Sequence, residues 1–150
     1  QFVGAMTEKL LAYALGRLQL SRLDSILALR KAAAERYDAL LADIPGLDRP
    51  VLERPKRVIS WFVYVVRLPA SVNRDRLQSL LARSGIASGR YFQPIHLQPA
   101  WRARSAPNLS LPLTEAISRR VLALPFHNRI AMGQQEEVVD ALRDAIFAED

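Results

Sequence analysis

One stretch constrains this chain more than any other: from Met6 to about Ala42 its apolar residues recur with the period of an α-helix. Leu10, Leu11, Ala14, Leu15 and Leu18 are followed by Leu23, Ile26, Leu27, Ala33, Ala34, Tyr37, Leu40 and Leu41, with polar residues between. That spacing gathers them into one stripe along a helix of about 3.6 residues per turn. Thr7 and Glu8 suit the start. Ile44-Pro45-Gly46 is a stop, because proline lacks an amide hydrogen and glycine admits a left-handed turn. At about 1.5 Å per residue the helix would run roughly 50 Å, with a kink expected near Ser21 where the stripe shifts. A helix this long bridges parts of a larger protein, packs on a partner, or curves over its own core.

The rest of the chain reads as shorter pieces. Leu47 to Arg57, with Pro50 and Pro55, is a loop. Val58 to Leu68 is rich in β-branched and aromatic residues and ends at Pro69, the pattern of a strand buried on both faces. Asn73 is placed to cap a helix over Arg74 to Arg83, with Leu77, Leu80 and Leu81 inward and Gly85 at its end. Ile86 to Phe92 is a second strand, interrupted by Gly89. Gln93 to Pro112 is irregular, with further prolines at positions 94, 99 and 107. Leu113 to Val121 then reads as a helix, Leu122 to Phe126 as a short strand, and Gln134 to Phe147 as an amphipathic helix with Val138, Val139, Leu142 and Ile146 on one face. Interleaved helices and short strands predict an α/β domain of the two-layer α+β kind, a small antiparallel or mixed sheet covered by helices. The 150 residues fit one such domain.

Composition removes several classes of function. There is no cysteine, so neither a disulfide framework nor a thiolate metal site is available. No apolar run approaches the roughly 20 residues of a membrane span, and the start lacks a signal-peptide pattern, so the expectation is a cytoplasmic protein with no membrane partner. A net charge of +6 raises the question of nucleic acid. Lys9, Lys31 and Lys56 are the only lysines, and the many arginines are scattered rather than gathered on one element. We therefore expect no nucleic-acid partner, and the arginine bias reads as that of a GC-rich genome.

Catalytic patterns are equally scarce. His96 and His127 are the only histidines, and no zinc-protease, nucleophile-elbow, dinucleotide or P-loop motif occurs. Neither a metal site nor a catalytic residue is assigned. One segment stands apart: Gly89-Arg90-Tyr91-Phe92-Gln93-Pro94-Ile95-His96-Leu97-Gln98-Pro99-Ala100-Trp101. It follows a strand, where binding groups collect on a rigid scaffold. Arg90 suits a phosphate, Tyr91 and Trp101 suit stacking on a base or sugar, and His96 suits a hydrogen bond to a ligand. The same residues also suit a plainer role, with Tyr91, Phe92, Ile95 and Trp101 in the core and His96 capping a turn. The residues alone leave both open.

Arg90 to Trp101 resembles a stretch of the DegT/DnrJ/EryC1/StrS sugar aminotransferases, in which an arginine is followed by two aromatics, a proline, a histidine, a second proline and a final aromatic, the spacings from the first aromatic onward being those of Tyr91 to Trp101. Other blocks agree in order. Met6-Thr7-Glu8 with Ala14 to Leu20 and Arg22-Leu23-Asp24 is similar to the helix that leaves that family's large domain. Arg36-Tyr37-Asp38 with Leu40-Leu41 is similar to its continuation. Ser60 to Val66 resembles a strand of the family. Leu111-Pro112, Thr114-Glu115, Ser118 to Leu122 and Leu124 to His127 resemble its last block.

The resemblance implies the C-terminal small domain of the pyridoxal-phosphate transferase fold, spanning residues 1–150, with the large cofactor-binding domain absent. It implies transfer of an amino group from glutamate to a nucleotide-linked keto-sugar by a homodimer that uses pyridoxal phosphate. Arg90, Tyr91, His96 and Trp101 become the substrate-binding residues. The family's Schiff-base lysine has no counterpart at Lys9, Lys31 or Lys56, so this chain alone is expected to hold no cofactor and to be inactive. An asparagine expected just before Met6 is also missing, for Val3, Gly4 and Ala5 stand there. Either that cofactor contact is lost or residues 1–5 are a cloning remnant, and no cofactor ligand is assigned. The alternative to an enzyme fragment is a standalone binding or dimerisation module whose long helix pairs with a second copy.

Overall fold

The structure, a computed structural model, describes residues 22–53, 55–56, 58–102 and 109–148. Its elements are α1 (Leu23–Leu40), β1 (Tyr64–Arg67), α2 (Arg74–Arg83), a 3-10 turn (Ile95–Leu97), α3 (Pro99–Arg102), α4 (Pro112–Arg120), β2 (Val121–Leu124) and α5 (Met132–Phe147). The expected helix over Met6 to Ser21, its kink and the block that opens at Met6 lie outside the described residues.

Within α1 only the second half is sealed. Ala33, Ala34 and Tyr37 are fully buried, whereas Leu23 and Leu29 stand exposed. The helix ends at Leu40, and Gly46 takes a φ of 70° just after Pro45, the left-handed turn expected of glycine there. Helix α2 follows its sequence signals closely. The Asn73 side chain accepts from the backbone N–H of Asp75 at 3.0 Å and of Arg76 at 3.1 Å. At the other end Gly85, with φ of 75°, donates to Ala82, and Ile86 donates to Leu81 at 2.9 Å, a Schellman closure.

The sheet is smaller than the apolar runs suggested. β1 and β2 pair antiparallel, Tyr64 against Leu124 and Arg67 against Val121. Single bridges extend the ladder on both sides, Asp48 to Arg67 and Gly89 to Ala123. Val58 to Leu68 was expected to be one strand buried on both faces, and this is corrected. Trp61 adopts a φ of 45°, which breaks the extended run. Val58 is 90% exposed, and only Tyr64 and Val66 of the strand are sealed while Val65 and Arg67 are half-buried. A continuous apolar run shows that a segment can be buried, not that the fold covers both its faces. The strand expected over Ile86 to Phe92 likewise contracts to Gly89, because the chain leaves the sheet at Arg90 for the turn begun by Pro94.

The core lies where α1, α2, α5 and the sheet meet. Leu68, Leu77, Leu81, Leu122 and Leu142 are completely buried, each stabilising the fold by about 1.5–3 kcal/mol relative to exposure. Tyr64 lies between Tyr37 and Trp61, tilted against the first at a centroid distance of 5.1 Å and stacked on the second at 5.9 Å. Among the described residues, one polar side chain, that of Gln135, is sealed within the core. Gln135 of α5 donates to the Ala33 carbonyl at 2.9 Å and accepts from Arg36 Nε at 2.7 Å, while Arg36 also donates to the Ile130 carbonyl. A buried amide with both ends satisfied costs little and fixes how α5 lies on α1. The expected two-layer α/β arrangement is therefore present, with an antiparallel sheet.

Candidate functional site

Two grooves flank the segment singled out in the sequence, and Tyr91, Phe92, Gln93 and Pro94 form the ridge between them. The first, of about 530 Å³, is bordered by Arg74, Arg90 and Arg119 together with Glu115 and Ser118. The second, of about 580 Å³, is more apolar and is bordered by Ile95, His96, Trp101, Leu109, Leu111 and Thr114.

Local structure explains the placement. Gly89 pins the segment to Ala123 of β2 through two backbone bonds of 3.0 and 2.8 Å. Beyond it Pro94 starts a 3-10 turn, closed by Leu97 N–H to the Pro94 carbonyl at 2.9 Å. The Gln93 and Gln98 side chains tie the turn to itself through the Leu97 and Gln93 carbonyls. Its aromatic side chains are thereby left outside the core. Phe92 is 72% exposed, and the Tyr91 ring leans on it at 4.8 Å. Trp101, in α3, is 49% exposed.

The four residues expected to meet a ligand are brought together unequally. Arg90 and Tyr91 border the arginine-lined groove, and Tyr91, His96 and Trp101 border the apolar one. Arg90 stays largely in solvent, with Asp75 Oδ2 at 3.2 Å. His96 is the exception. Its side chain is only 7% exposed, and Nε2 meets Glu115 Oε1 at 3.0 Å. The plainer role is therefore corrected for Phe92, Ile95 and Trp101, which are exposed and are not core.

Sequence reasoning missed Arg74, Arg119 and Glu115 as neighbours of the segment. Arg74 donates to the Ser118 carbonyl at 2.6 Å, joining α2 to α4 across the groove floor. Glu115 accepts from His96 and, at 3.0 Å, from the backbone N–H of Leu111; these bonds, the His96 one foremost, hold its carboxyl below the usual carboxylate range. Pro112 at the first helical turn with Glu115 close behind was a legible helix start. Nothing in the sequence placed that carboxylate against a histidine nineteen positions upstream.

No cluster of histidine, aspartate or glutamate among the described residues suits a metal ion. No described helix is long and apolar enough to cross a membrane. Lys31 pairs with Glu35 on α1, neither Lys31 nor Lys56 borders either of the two grooves, and Asn73 accepts from two amides at the start of α2.

Known proteins narrow the reading. The profile of the DegT/DnrJ/EryC1/StrS aminotransferase family matches residues 5–143. The dTDP-3-amino-3,4,6-trideoxy-alpha-D-glucose transaminase of Streptomyces venezuelae is 36% identical over 129 residues, 85% of this chain and 33% of that protein. Among solved structures, the aminotransferase TlmJ from Streptoalloteichus hindustanus superposes with a TM-score of 0.78 at 32% identity, covering 89% of this chain and 35% of that one. S. venezuelae DesV, solved in complex with a ketimine intermediate, superposes with a TM-score of 0.76 at 36% identity over 87% of this chain and 34% of its own. The chain thus spans about a third of the length of the curated relatives it matches. The family uses pyridoxal phosphate, and two of its matched members are transaminases of dTDP-linked deoxy sugars. A matched profile over most of the chain and a shared fold lead to one conclusion: the chain belongs to the DegT/DnrJ/EryC1/StrS aminotransferase family.

Proposed function

We propose that residues 1–150 are the C-terminal small domain of a sugar aminotransferase, and that Arg90, Tyr91, His96 and Trp101 form a wall that meets its nucleotide-linked keto-sugar. The whole enzyme would take its amino group from glutamate, use pyridoxal phosphate held elsewhere in the protein, and work as a cytoplasmic homodimer. This chain, without a Schiff-base lysine, would be inactive by itself.

One observation carries the reading: an arginine-lined groove and an aromatic, apolar groove meet along a single ridge. A nucleotide-linked sugar has the matching halves. Its diphosphate suits guanidinium groups, which form charge-assisted bonds with phosphate oxygens. Its base and sugar ring offer flat faces for Tyr91 and Trp101. The chemistry of amino transfer belongs to the cofactor, and what this chain supplies is binding and orientation.

The test uses the full-length protein. Arg90→Ala should raise the KM for the nucleotide-linked sugar about tenfold, the loss of one charge-assisted contact, with the cofactor's absorbance unchanged. An unchanged KM removes Arg90 from the site.

A further inference from the structure

Glu115 stands in the first turn of α4, on the border of the arginine-lined groove. A single oxygen, Oε1, accepts from His96 Nε2 and from the Leu111 backbone N–H, each at 3.0 Å. The residue itself borders the arginine-lined groove, while both of its partners border the apolar one. They come from different passes of the chain, His96 from the turn after the aromatic ridge and Leu111 from the residue before Pro112.

The chemistry of these contacts is directional. An ionised carboxylate only accepts, so the ring nitrogen that meets it carries the hydrogen. In a neutral ring that assigns the proton to Nε2 and leaves Nδ1 as the acceptor. The Glu115 carboxylate thus sets the tautomer and the ring plane of His96 together. Leu111, the N-cap of α4, has no side chain that can cap the helix, and its own N–H is satisfied by this same oxygen. Bonds to a charged acceptor are stronger than neutral ones, and the two converge on one atom.

We propose that Glu115 is a positioning residue for the sugar-nucleotide wall: by holding His96 and Leu111 to one oxygen, it sets the spacing between the pass bearing Tyr91 and Trp101 and the pass bearing Leu111 and Thr114. The inference rests on the reading of these grooves as the substrate wall, so its test runs beside that of Arg90.

In the full-length enzyme, Glu115→Ala should raise the KM for the nucleotide-linked sugar about tenfold and change kcat by less than about threefold. Glu115→Gln keeps an acceptor oxygen and should recover most of the loss. Should the alanine variant fail to fold, Glu115→Asp, which withdraws the oxygen by one methylene, carries the same expectation of a raised KM. Asp43→Ala, at an exposed ion pair with Arg143, serves as the unaffected control. If Arg90→Ala raises this KM and the Glu115 variants leave it unchanged, the wall stands and the positioning role is overturned. When neither residue moves it, the substrate wall itself is wrong and the role falls with it. A loss confined to kcat, with KM untouched, marks a merely structural effect and also overturns the proposal.

Discussion

Aromatic side chains gather in two places in this molecule, and the two groups behave in opposite ways. Tyr37, Trp61 and Tyr64 are sealed between α1 and the sheet. Tyr91, Phe92 and Trp101 ride on a proline-bounded turn and stay half-buried or exposed. Ring contact does not distinguish them, since Tyr91 and Phe92 lie closer, at 4.8 Å, than Tyr37 and Tyr64 at 5.1 Å. The difference is in what lies over the rings. A helix and a sheet close on the first group, whereas the second is held by a turn that bonds chiefly to itself. Aromatic content and pairing therefore show where apolar surface is available, and coverage by other elements decides whether it becomes core.

The largest test sets core against wall. Leu77→Ala, in the sealed interior, should cost about 2–5 kcal/mol, because the deleted methyls leave a cavity that relaxes only in part. Phe92→Ala should stay within about 0.5 kcal/mol of the parent chain. Urea unfolding measures both, and equal costs would show that the wall is packed like the core.

A smaller contrast lies inside the core. The Tyr37 hydroxyl donates to the Pro125 carbonyl at 2.8 Å, whereas the buried Tyr64 hydroxyl meets no hydrogen-bond partner among the described residues. Tyr37→Phe should cost about 1 kcal/mol and Tyr64→Phe close to nothing, since only the first removes a bond. Burial raises both phenols well above their ordinary value of 10.0. A raised acid favours the neutral folded form, so this stabilisation is complete below pH 10 and is lost as pH climbs beyond it. Alkaline unfolding should coincide with the rise of phenolate absorbance, and separation of the two would contradict burial of these rings.

The smallest effect is local. The Glu115 carboxyl is held below its ordinary value of 4.5, first by the His96 bond and then by the Leu111 amide. With a depressed acid the stabilisation is present above that ordinary value and lost as pH falls through the folded one. Nitrogen resonances of the His96 ring should shift together as acid protonates Glu115, with the rest of the fold intact. If they shift only with global unfolding, the wall is part of the core after all.

Much of the fold was legible along the chain. Asn73 and Gly85 marked the ends of α2, and the stripe of Val138, Val139, Leu142 and Ile146 gave the buried face of α5. Leu122 and Leu124 were placed in a strand that forms. The strand over Val58 to Leu68 was overdrawn, since an apolar run carries no record of the left-handed turn at Trp61. At the candidate site, the segment stood out in the sequence as binding-type residues on a strand-end loop, while the residues alone left open whether its aromatics were core or exposed. His96 read as a direct ligand contact, and its pairing with Glu115 was not legible.

What the sequence determined by itself is whatever closes over a few residues. A helix bonds each amide to a carbonyl four positions back, and its caps reach two or three positions, so periodicity and end residues suffice to specify them. The tertiary structure alone decided the contacts of long reach: Arg36 against Gln135, Gly89 against Ala123, and His96 against Glu115. Each depends on which faces the packed elements cover and on closing a long loop, an entropy cost that no local pattern records. The core was thus written mostly in short-range signals, and the wall of the grooves was assembled by folding.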